Sequence, residues 1–124
     1  MGGHVELHED PNQAAVREVK EEVGLDVTLW NPEFAPDASD QFYTALIPPV
    51  SIGRHPAAHP QSAEHEHVVF VYIGTSTNDA VHIQYESDRS DEWRWFSKAE
   101  LVGIDLRDNV RAYANFALDT LARD

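Results

Sequence analysis

Residues 10 to 24, DPNQAAVREVKEEVG, carry the start and stop signals of one helix with fixed ends. Asp10 suits the N-cap, Pro11 the first helical position, and Gln13 stands where the partner of a capping box belongs. Gly24 can take the left-handed conformation that closes a helix. Val16, Val19 and Val23 share one face and are expected to pack into the core. Glu18 and Glu22 flank that face, and Glu21 lies further round, four residues from Arg17. Three carboxylates therefore crowd one helical turn, at roughly 0.2–0.5 kcal/mol of repulsion for each pair three or four apart. Arg17 and Lys20 offset part of that cost. A solvated charged face is the ordinary reading of such a run, and it leaves the remainder unexplained.

The rest of the composition narrows what the cluster can be for. With 124 residues, 42% of them hydrophobic and 25% charged, the chain reads as one soluble domain over residues 1–124. It contains no cysteine, so disulfides and thiolate metal sites are out, and a reducing cytoplasm is the expected setting. No apolar run is long enough to cross a bilayer. The net charge of −13 argues against general binding to a nucleic-acid backbone. A phosphate-bearing small molecule stays open to it, provided a cation lies between the two negative partners.

Strand signals surround the helix. GGHVELH (2–8), LDVTLW (25–30), QFYTALI (41–47), HVVFVYIG (67–74) and DEWRWFS (91–97) each read as a strand, with 67–74 central because its apolar run is nearly continuous. Residues 53–64, rich in proline and histidine, read as a loop. Ser97 and Glu100 form a capping box for a short helix over 98–102. The last helix, near 108–122, gathers Val110, Tyr113, Ala114, Ala117, Leu118 and Leu121 on one face. Strands interspersed with helices in this way predict an α/β sandwich with a mixed sheet.

Reading outward from the glutamates resolves the cost. Gly3 is followed after five residues by Glu9, and after seven more by Arg17-Glu18-Val19. One residue further come Glu21-Glu22, and after another, Gly24-Leu25. This pattern over residues 3–25 resembles the complete signature of the Nudix hydrolases, and average residue usage puts a chance match below about one in 10⁶. DEWRWFSKAEL looks like the late strand and short helix that often follow in that family.

The resemblance implies a Nudix-like α/β/α sandwich and a hydrolase that cleaves the pyrophosphate of a nucleoside diphosphate linked to another group, using Mg²⁺ or Mn²⁺. Hard divalent cations take several oxygen ligands, and glutamates at i, i+3 and i+4 supply them from a rigid helix. By resemblance Glu18 and Glu22 are the principal ligands, and Glu21 holds a further metal or its water. A backbone carbonyl at Gly2 or Gly3 adds an oxygen, and Arg17 orients a carboxylate by a charge-assisted bond. Glu9 is expected to orient its loop rather than react.

The general base is expected in the acidic stretch YESDRSDEW (85–93), among Glu86, Asp88, Asp91 and Glu92, with Glu92 favoured. Trp30, Phe42, Tyr43, Tyr85 and Trp93 are aromatic candidates for stacking on a base, and Tyr43 is the substrate contact this reading selects. His55, His59, His65 and His67 raise the question of a second metal site. The alternation of HEH at 65–67 places two imidazoles on one side of a strand, and a surface pair or substrate contact is preferred to chelation.

In members of the family, strands precede the box. Here the box begins at Gly3, so the resemblance implies an N-terminally truncated sheet with an open edge and uncovered apolar residues, among them Val68, Phe70 and Tyr72. The chain is therefore expected to form a homodimer. The alternative function is a catalytically impaired Nudix-like module for nucleotide binding or regulation.

Overall fold

The computed structural model describes residues 1–33, 38–57, 65–81 and 94–122. The chain divides into two compact units, Met1–Asp91 and Glu92–Asp124.

The first unit is organised by helix α1, Pro11–Val23. Its ends are those its sequence specifies. The Asp10 carboxylate accepts from the Gln13 amide at 2.8 Å, and the Gln13 side chain accepts from the Asp10 amide at 2.9 Å. These reciprocal bonds satisfy donors that a helix start otherwise leaves open. Gly24 takes φ 76°, and its N–H reaches the Lys20 carbonyl at 2.9 Å. Among the described residues of this unit, Ala14, Val23, Leu25 and Ile73 are the buried apolar ones. Val16 departs from expectation. It is 36% exposed because it borders an open groove of ≈ 700 Å³, lined also by Asn12, Lys20, Leu29 and Ile47.

Strand β1 covers Thr28–Trp30, β2 Ser51–Ala57, β3 His65–Val71 and β4 Ile73–Thr75. Among the described residues β2 pairs with β3 and β1 with β4, both antiparallel. The mixed α/β class is as expected, and the pairings described are all antiparallel. The apolar run 67–74, expected as one central strand, breaks at Tyr72: among the described residues β3 pairs only with β2 and β4 only with β1, so neither is central. Gly74 allows a close approach there, since a Cβ would stand 3.3 Å from Cβ of Val27.

Other segments of this unit also differ from their sequence reading. Residues 2–8 form no strand. Their backbone is taken up instead by local bonds, with the Glu9 amide on the Glu6 carbonyl at 3.3 Å and His8 at φ 71°.

Residues 41–47 also form no strand. Asn12 substitutes for a neighbouring strand by donating to the Ile47 carbonyl at 2.9 Å and accepting from its amide at 2.8 Å. Asp40 closes the other end of that segment by accepting from the Phe42 and Tyr43 amides.

Residues 53–57, read as loop, belong to β2. Among the described residues β2 pairs with β3 alone, and such an edge strand tolerates a proline where its missing N–H faces away from the partner. The remainder of that loop, 58–64, lies outside the described residues.

In the second unit, helix α2 covers Lys98–Leu101 and α3 covers Asp108–Leu121. The Ser97–Glu100 capping box forms as expected, with bonds of 3.2 Å and 3.0 Å. Leu101 is buried, and the Arg111 guanidinium donates to the carbonyls of Leu101 and Ile104, tying the α2–α3 connection. Lys98 pairs with Asp119. Residues 94–97 are not in a strand, and 91–93 fall outside the described residues.

Candidate metal centre

The box residues come together because the segment before α1 folds back along the helix. Gly3 lies against Glu18. A Cβ built on Gly3 would stand 2.0 Å from Oε1 of Glu18, a distance no side chain can occupy. The glycine is thus a condition for placing that carboxylate beside the backbone of residue 3.

Arg17 joins the pieces. Its Nε and Nη2 donate to Glu9 at 3.0 Å and 2.8 Å, a bidentate pair. Its Nη1 donates to Oε1 of Glu18 at 3.0 Å and to Oε2 of Glu21 at 3.1 Å. Nη2 also donates to the His4 carbonyl at 3.0 Å, fixing the N-terminal segment to the helix. One guanidinium therefore contacts three carboxylates of the motif and the backbone next to Gly3. This is more than the single oriented carboxylate expected of Arg17, and it offsets the like-charge crowding on this turn.

Glu9 sits at the back of this arrangement, with a side chain only 14% exposed. The Arg17 hydrogen bond, helped by the Glu6 amide at 2.8 Å, holds its carboxyl below the usual carboxylate range. Hydrogen bonds to Glu9, then to Glu18, raise the already high pKa of Arg17, so it is charged at any pH of interest. Ionised at neutral pH, the Glu9–Arg17 pair clamps the segment before α1 to the helix.

Glu22 lies one turn beyond Glu18, and its Oε2 is buried. Gly3, Arg17, Glu18 and Glu21 are thus in mutual contact or linked through Arg17, with Glu22 on the same helix. Tyr43 is 62% exposed on its own loop, held by Asp40, and its described contacts do not include the glutamates. Glu92, with Glu86, Asp88 and Asp91, lies outside the described residues. Among the described residues no three His, Asp or Glu side chains already enclose a point suited to a metal ion. The donor set nonetheless fits a hard cation in kind. Glu18 and Glu21 are carboxylates whose oxygens share one donor, Glu22 has a buried oxygen, and the backbone of residue 3 is left open by glycine.

The sequence model described as NUDIX domain matches residues 1–118, and the chain belongs to the Nudix family. It is similar to a solved structure, a hydrolase of the NUDIX family from Clostridium perfringens, at 31% identity and a TM-score of 0.68. That match covers 96% of this chain and 78% of the other. No curated protein matches significantly. Nudix hydrolases cleave pyrophosphate bonds and generally use divalent cations such as Mg²⁺. No helix among the described residues is long and apolar enough to cross a membrane.

Proposed function

We propose that this chain is a divalent-cation-dependent pyrophosphohydrolase acting on a nucleoside diphosphate linked to a second group. The observation that carries the reading is the Arg17 hub, which holds Glu9, Glu18 and Glu21 together beside Gly3. A solvated helix face has no use for a bidentate clamp behind it or for a glycine that makes room for a carboxylate.

In this reading Glu18 and Glu22 are the principal ligands of Mg²⁺ or Mn²⁺, with Glu21 and the carbonyl of Gly3 contributing oxygens. When bound, the cation supplies charge neutralisation for the diphosphate and acidifies a bound water. The protein's own part is positional. Arg17 keeps the Glu18 and Glu21 side chains aimed, and Glu9 keeps Arg17 in place. Glu92 is the proposed general base, taking the proton from the water that attacks phosphorus as the bridging P–O bond breaks. Tyr43 is the proposed stacking contact for the base. The exposed Ile52, Val68 and Phe70 on one face of the β2–β3 pair support a homodimer, which light scattering reads directly. A cysteine-free chain suits action in the cytoplasm.

The test is phosphate-product release from a panel of nucleoside-diphosphate compounds with Mg²⁺ or Mn²⁺. The parent should turn over at least one class of compound, and chelation should stop it. No turnover with any member would contradict the reading.

A further inference from the structure

The β2–β3 pair brings together histidines that the hydrolytic site does not use. His55 is directly across from His67, and His65 is across from Ala57, so the alternation of the strands puts His55, His65 and His67 on one face. His4, from the segment before α1, reaches the same place. The His67 ring is 5.1 Å from that of His65, 5.2 Å from His55 and 5.4 Å from His4, centroid to centroid. Sequence reasoning misses His4 because no local spacing connects it to the hairpin. Arg54 and Glu66 pair at 3.2 Å on the opposite face, so that ion pair is directed away from the imidazoles.

The spacing has a chemical meaning. Imidazole nitrogens bind zinc at about 2.0–2.1 Å, which sets the ring centroids of two tetrahedral co-ligands roughly 5 Å apart. The three measured separations fall at that value. We propose that His67, with His55, His65 and His4 around it, is a binding site for a borderline transition-metal cation of the zinc class. It differs from the carboxylate centre in donor chemistry, because imidazole suits Zn²⁺, Ni²⁺ and Cu²⁺ whereas oxygen donors suit Mg²⁺. The described side chains do not yet enclose a common point. His4, His55 and His65 are exposed, so their rings can rotate to close on an ion within nanoseconds. His67 is half-buried, and burial together with the neighbouring histidines lowers its pKa below the ordinary value.

The test is calorimetric titration of Zn²⁺ into the untagged chain in excess Mg²⁺, with Co²⁺ as a spectroscopic substitute. The parent should bind Zn²⁺ saturably, and Co²⁺ should give an absorption spectrum with nitrogen-ligand character. His67→Ala should weaken binding by about tenfold or more. The double variant His55→Asn with His65→Asn, made at exposed positions, should do the same and guards against misfolding of His67→Ala. Glu18→Gln and Glu22→Gln should leave Zn²⁺ affinity unchanged. No saturable binding, equal binding by parent and histidine variants, or loss confined to the glutamate variants would each overturn the site.

Discussion

Oε1 of Glu18 occupies the space where a side chain on Gly3 would begin, 2.0 Å from an ideal Cβ. The first glycine of the motif and its first helical glutamate are therefore one device, made of residues far apart in sequence. In Gly3→Ala the Glu18 side chain has to swing away. It is the far end of a flexible side chain, so stability should hardly change. A displacement near 1 Å at a reacting centre can cost about 10²-fold in rate, and Gly3→Ala should lose turnover on that scale. Paired melting and activity measurements check it.

Glu9 ties stability to pH. Its folded pKa lies below the ordinary 4.5, chiefly through the Arg17 hydrogen bond. A depressed carboxylate stabilises the fold fully above its unfolded pKa and loses that contribution as pH falls through the folded value. Glu9→Gln should therefore lower the melting temperature at neutral pH and flatten its fall below about pH 4.5. Melting curves of parent and variant across the acid range check both signs.

Asn12 holds both backbone groups of Ile47, in place of the strand pairing expected for 41–47. Asn12→Ala leaves an amide and a carbonyl in a part-buried place without these partners. A lost bond with an unsatisfied partner costs about 1–3 kcal/mol, which for a domain of this size lowers Tm by several degrees. Asn12→Asp can still accept from the Ile47 amide and should lose less. Denaturant unfolding of the two variants checks the order.

How much was legible in the sequence follows from how local each signal is. The ends of α1 and α2 were legible because Asp10–Gln13 and Ser97–Glu100 act across three residues, and Gly24 ends α1 through its own conformation. The motif was legible because four of its acidic and basic residues sit on one helix. The failures are non-local. The backbone of 2–8 is held by Arg17 and by its own turn, and 41–47 by Asn12, and no alternation of residues reveals a side chain that takes a strand's place. β2 was hidden by Gly53 and Pro56, which discourage strands unless one edge is unpaired. His4 joined the histidine group only when the chain folded back.

Divalent cations that bind the folded carboxylates should stabilise the protein by mass action. Millimolar Mg²⁺ or Mn²⁺ should raise the parent's melting temperature, and Glu18→Gln should blunt the rise. Equal shifts in both would place the ions elsewhere on this acidic chain.

The most direct measurement is metal-dependent product release by Glu22→Gln set against the parent, with circular dichroism on both. Removing one carboxylate from a crowded turn relieves repulsion, so the fold should persist with equal or higher stability. The account predicts that the variant loses turnover by about 10²-fold or more with Mg²⁺ and Mn²⁺, a loss worth at least about 2.7 kcal/mol of transition-state stabilisation. A folded Glu22→Gln protein with turnover within about tenfold of the parent would contradict it.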